Sequence, residues 1–158
     1  MRQYLCECSA CKNQYTLWFD QEPFPILGDS FPRQCLNCGK ATTFQRVATR
    51  KARSELRAIE EERALREAIS AECRRRGFTC TFLYQSVVIQ TPVAHWKFDY
   101  HVARKTLWHE STYQVNLETG IPAVRHKQFE ERKISWQEVI SYIDRHDQWK
   151  AKQQKKES

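Results

Sequence analysis

Glycine is scarce in this chain, with four in 158 residues. A loop that cradles phosphate through its backbone needs several glycines in a short stretch. Neither a Walker loop nor a Gly-x-Gly-x-x-Gly pattern occurs, and there is no nucleophile elbow around a serine. No paired acidic cluster suits two-metal chemistry. No apolar run approaches the ~20 residues of a membrane-spanning helix. The first residues also lack the apolar stretch of a secretory leader, which predicts a reducing, cytoplasmic compartment where disulfides do not persist. The five histidines show no His-x-x-x-His or other ligand spacing among themselves, and no internal repeat is present.

Cysteine, by contrast, is abundant, and four of the seven are arranged in a pattern. Cys8-Ser9-Ala10-Cys11 is answered, after twenty-three residues, by Cys35-Leu36-Asn37-Cys38. Each pair can curl so that both sulfurs face one ion, and two pairs complete a tetrahedron. The spacing therefore predicts one metal ion per chain, Zn2+ or alternatively iron, held by Cys8, Cys11, Cys35 and Cys38. Cys6 is a rival to Cys8. The two residues share a side in an extended strand, and only the matching two-residue spacer favours Cys8. Cys73 and Cys80 read as small buried hydrophobes.

Residues 4–44 resemble the zinc-ribbon (rubredoxin-like) family. The matching features are the two cysteine pairs and Gly39, which in that family takes a left-handed conformation beside the metal. Lys12 stands where the first turn would carry a glycine. Asn13 tolerates positive φ but lies one place late. In such modules the metal supplies folding energy that a small core cannot. Trp18, Phe19, Phe24 and Phe31 are expected to pack around the site; the alternative is an exposed aromatic patch on which bases stack.

The net charge of +7 is unevenly placed. Residues 1–48 carry five basic and four acidic side chains, and residues 77–149 carry eight of each. The excess lies in 49–76, with nine basic and six acidic residues, and in the tail 150–158, with four lysines and one glutamate. Arg50, Lys51, Arg53, Arg57, Arg74, Arg75 and Arg76 are the candidate contacts to an acidic partner. For the last three, the C-terminal end of a helix dipole is a competing explanation.

A stretch free of Gly and Pro from about Ala48 to Arg76 predicts one long helix closed by Gly77. Its apolar stripe is split. Ala52, Leu56 and Ile59 share one face, and Ala58, Leu65, Ile69 and Cys73 another, so the two halves are expected to pack against different things. Alternating segments from Phe78 to Leu117 predict short antiparallel strands, including one at Tyr113–Leu117 before a turn at Glu118–Gly120. Residues 121–133 show no clear pattern. Ser135 and Glu138 form a capping-box signature for a last helix reaching about Trp149.

The expected fold is thus α+β: an N-terminal zinc ribbon (1–48), a long linking basic helix (49–76), a small antiparallel sheet of four or five strands covered by helices (77–149), and a disordered Lys-rich tail (150–158). Within it, Val88–Ser111, with its Trp-x-Phe-x-Tyr strand, resembles proteins of bacterial phages and mobile elements. Three functions fit. The first is a zinc-stabilised, non-enzymatic protein contacting nucleic acid or a nucleoprotein complex. The second is a protein–protein module of mobile-element origin that modulates a host machine. The third is a small metal-independent ribonuclease using His109 with Tyr100, Arg104 and Lys105. No membrane partner is expected.

Overall fold

The computed structural model describes residues 1–111 and 125–157. The chain divides into two compact units, Met1–Arg63 and Ala64–Ser158.

The first unit holds strands β1 (Arg2–Cys8), β2 (Gln14–Phe19), β3 (Ser30–Cys35) and β4 (Lys40–Arg46). β1 and β2 form one antiparallel hairpin and β3 and β4 another. The hairpins join through β1 and β4, with Cys6 opposite Arg46 and Cys8 opposite Phe44, giving the order β2-β1-β4-β3. Alternation sends Tyr4, Cys6 and Cys8 to the same face as Tyr15, Leu17, Phe19, Phe31 and Phe44, which pack into one cluster. The rings meet edge-on, Tyr15 on Phe44 at 5.7 Å and Phe19 on Phe31 at 5.2 Å.

Helix α1 (Arg50–Arg75) begins in this unit. Thr49 caps it, accepting from Ala52 N–H at 3.1 Å. Arg46, almost buried, fastens its start: the guanidinium lies 4.1 Å above the Tyr4 ring, donates to the Pro25 carbonyl and pairs with Glu55. Ala52 is buried beside it.

The second unit is built on a five-stranded antiparallel meander: β5 (Thr79–Phe82), β6 (Ser86–Gln90), β7 (Ala94–Asp99), β8 (Arg104–Ser111) and β9 (Arg125–Lys133), paired in that order. Ile69 and Cys73 from α1, and Val139, Ile140 and Ile143 from helix α2 (Trp136–Glu157), cover Val87, Ile89, Trp96, Phe98 and Leu107. Full burial of each large aliphatic side chain contributes about 1.5–3 kcal/mol. α1 ends in a Schellman motif: Phe78 N–H bonds the Cys73 carbonyl and Gly77 N–H the Arg74 carbonyl, with Gly77 at φ +73°. Arg76 then reaches α2, donating to Asp144 at 2.6 Å and Ser141 at 3.1 Å while also holding Glu72. At the start of α2, Ser135 and Glu138 bond reciprocally as a capping box.

The architecture corrects the expected fold class. The protein has two antiparallel sheets, not a ribbon joined to one small sheet by a long linking helix. α1 is not a link, because its first turns pack within the first unit and its last turns within the core of the second. The split apolar stripe reflects this, although Ile59 ends up exposed and only Ala52 is buried on its face. α2 also continues to Glu157, through the tail expected to be disordered. β9 occupies part of the stretch without a clear pattern. The strand expected at Tyr113–Leu117 and the turn after it lie outside the described residues.

One core side chain makes stability depend on pH. His109 is nearly buried against the Trp96 ring, and loss of solvation, helped by nearby His146, Lys150 and His126, lowers its pKa to about 4. Between pH 6.5 and 4 the unfolded chain therefore binds the extra proton. The contribution is full above about 6.5 and is lost as pH falls to about 4, up to about 3 kcal/mol in all. Chemical denaturation at pH 7 and pH 4.5 should show this loss, and His109→Phe should remove much of the difference between the two pH values.

Candidate metal centre

The two hairpin turns carry the four cysteines. Cys8 closes β1 and Cys11 sits in the turn before β2; Cys35 closes β3 and Cys38 sits in the turn before β4. Joining the hairpins through β1 and β4 brings the turns together, and the four sulfurs lie within 4.8 Å of one another. Cys8 and Cys38 are 3.9 Å apart, and Cys11 and Cys35 are 3.7 Å apart. A tetrahedron with Zn–S bonds of ~2.3 Å has edges of about 3.8 Å. The sulfur set thus fits a four-thiolate metal site and is compatible with a zinc-ribbon-like centre.

The two turns are built alike. The Cys8 carbonyl accepts from Lys12 N–H at 3.0 Å, and the Cys35 carbonyl from Gly39 N–H at 2.9 Å. Gly39 sits at φ +65° and Lys12 at φ +62°. Lys12 therefore adopts the left-handed conformation itself, at the place equivalent to Gly39, and Asn13 does not substitute for it. A non-glycine residue is strained there by about 1–2 kcal/mol.

The first cysteine of each turn also has a hydroxyl neighbour, supplied by the opposite hairpin. Thr42 Oγ1 lies 3.1 Å from Cys8 Sγ and the Tyr15 hydroxyl 3.5 Å from Cys35 Sγ. The Thr42 contact is the main cause pulling Cys8 down to about 6, and the Tyr15 contact likewise lowers Cys35. Cys38 is pushed up to about 12, first by its hydrogen bonds with Cys11 and Cys35. Thiols crowded in this way cannot all ionise unless a cation lies among them. Cys6, the rival ligand, is buried outside the cluster, and burial raises its pKa.

No family model, curated protein or solved structure matches this chain. The resemblance of residues 88–111 to mobile-element proteins gains no support from these comparisons.

The other candidate residues fall into separate groups. Arg50, Lys51, Arg53 and Arg57 are exposed and, among the described residues, form no ion pair. Arg50, Arg53 and Arg57 share one face of α1. Arg74 pairs with Glu67, Arg75 with Glu72, and Arg76 with Glu72 and Asp144. Arg75 and Arg76 hold Glu72 near pKa 2. Tyr100 is buried edge-on to Phe82, Lys105 is buried and donates to the Val102 carbonyl, and Arg104 is exposed. His109 lies four residues beyond Lys105, about 13 Å along the strand. The four ribonuclease candidates do not converge.

Sequence reasoning missed a cleft of 540 Å³ in the first unit, lined by Arg2, Gln3, Tyr4, Trp18, Lys51 and Glu55. Trp18 is 54% exposed there, since alternation along β2 turns it away from the face of Tyr15, Leu17 and Phe19. Among the described residues no helix is long and apolar enough to cross a membrane.

Two outcomes test the centre. Replacing Cys35 by Ser should abolish stoichiometric metal in the purified protein and lower the melting temperature sharply, read by elemental analysis and thermal denaturation. Lys12→Gly should stabilise the metal-loaded protein by a few tenths to about 1 kcal/mol, whereas Gly39→Ala should destabilise it by about 1 kcal/mol. No atom lies within 4 Å of a Cβ at Gly39, so backbone strain alone sets that cost.

Proposed function

We propose that the chain is a zinc-stabilised, non-enzymatic binding protein whose first unit contacts nucleic acid or a nucleoprotein complex. Zinc is favoured by the four-thiolate donor set and by sulfur separations suited to a tetrahedron. It would be held by Cys8, Cys11, Cys35 and Cys38, one ion per chain, and would act by fixing the two hairpins.

The observation that carries the binding reading is the cleft that exposed Trp18 lines together with Arg2 and Lys51. An exposed indole flanked by cations suits an unstacked base and its phosphates. The unpaired face of Arg50, Arg53 and Arg57 continues the positive charge along α1. Arg74, Arg75 and Arg76 are left out of this surface because acidic partners neutralise them.

Fluorescence anisotropy with labelled random-sequence single strands, at low and high salt, tests the reading. Zinc-loaded protein should bind with an affinity that falls steeply as salt rises. Replacing Arg50, Arg53 and Arg57 together by Ala should reduce the slope of log K against log salt by about 2. Trp18→Ala should weaken binding by about 5-fold or more at unchanged slope. Absence of salt-dependent binding by the zinc-loaded protein would sink the reading and favour a protein partner.

A further inference from the structure

The helix-covered face of the second sheet changes character along one cross-strand row. Register places Cys80, Ile89, Trp96, His109 and His126 side by side across β5 to β9. The row is apolar at one end and runs through an indole and two imidazoles to the edge strand. Across its polar end lies α2, which brings His146, its ring 5.1 Å from that of His109 and 4.9 Å from that of Trp96. Lys150 follows one turn later on the same helix face. Thr91 and Asp147 are both buried and hydrogen-bonded to each other, and Asp147 also lies 3.3 Å from His146 Nδ1. This contact orients the imidazole.

Within this cluster two buried polar atoms have no hydrogen-bond partner among the described residues: Trp96 Nε1 and His109 Nε2. Their residues are direct cross-strand neighbours with rings 4.2 Å apart. A buried polar atom left alone costs about 1–3 kcal/mol, so a missing partner is the economical explanation. Its chemistry is constrained. The indole N–H only donates, so the partner must accept. Among the described residues, the titratable groups facing His109 from the neighbouring elements are His146 and Lys150 on α2 and His126 on β9, and Asp147 is occupied by Thr91 and His146. An acceptor among such groups is favoured when it carries negative charge. A metal cation fits poorly, because the indole cannot ligate one and the surrounding charge opposes it.

We propose that the second unit carries an oxyanion site of the phosphate class, formed by Trp96, His109 and His146 with Lys150 at its edge. One phosphate oxygen accepts from the indole and from the His109 imidazole, and the remaining charge faces His146 and Lys150. The ligand is either free inorganic phosphate or a phosphate of a nucleic-acid backbone. The site is independent of the cleft and of the metal centre in the first unit.

The test uses the full zinc-loaded chain in a phosphate-free buffer at pH 6.5, following the imidazole resonances of His109 and His146 by NMR. Inorganic phosphate should shift both sets saturably and raise the melting temperature, while chloride at equal ionic strength should do neither. His146→Gln and Lys150→Gln, both at partly exposed positions of α2, should each weaken phosphate binding about tenfold. A short single-stranded oligonucleotide that gives the same shifts at lower concentration assigns the backbone as the source. Shifts with phosphate alone assign the free anion. The proposal is overturned if neither ligand moves these resonances, if chloride moves them equally, or if both variants bind phosphate as the parent does. It is also overturned if zinc added beyond one equivalent shifts the same rings in place of phosphate.

Discussion

Four thiols held within 4.8 Å of one another cannot all carry charge without a cation among them, and the first unit is arranged around that constraint. The hairpins place two sulfurs each, at equivalent turns, and their pairing through β1 and β4 completes the set. Unit 1 has only Cys6, Cys8, Cys35 and Phe44 as its fully enclosed cluster. A core of that size, three of whose members are thiols, stabilises little by burial alone. A metal held by the four thiols would act in this unit as the main cross-link, with the aromatic rings around it as packing.

The second unit is stabilised differently. Its core draws apolar side chains from two helices and five strands, and ion pairs such as Arg76 with Asp144 tie its helices together. Having no thiol centre, it relies on packing and on polar contacts that are mostly satisfied. The exceptions, at Trp96 and His109, are concentrated in one place, which is why that place reads as a site. The two units thus divide the chemistry: thiolate and exposed cations in one, a buried imidazole cluster in the other.

What the sequence disclosed follows the range over which each signal acts. The Cys-x-x-Cys spacing, the Ser135–Glu138 box and the Gly77 stop are local, and each could be read from neighbouring residues. The joining of β1 to β4 depends on residues some forty positions apart, so the first sheet was mistaken for a ribbon and α1 for a link. β9, Arg125–Lys133, is an edge strand of mostly charged and polar residues, where the alternation that marks a strand is weak. The tail after Trp149 lacks large apolar residues, yet it is rich in good helix formers and continues α2. Lys12 shows the reverse case: the expected residue type was missing, but the turn kept its conformation and absorbed the strain. In the sequence His109 reads as a strand histidine and a candidate acid–base residue. Its burial, and its nearness to His146, depend on how α2 crosses the sheet.

The seam between β1 and β4 has a further consequence. Only Cys6, Glu7 and Cys8 on one strand face Arg46, Gln45 and Phe44 on the other. Backbone bonds from Val47 to Leu5 and from Ser9 to Thr43 flank this short ladder, and a metal at the sulfur cluster would pin one end of it. If the cluster opened, β1 and β4 would become free strand edges, each backed by aromatic side chains. Such edges pair readily with other chains, so metal loss would carry a hazard of self-association as well as unfolding. An ion bound there would thus guard against mispairing of strands as well as add stability.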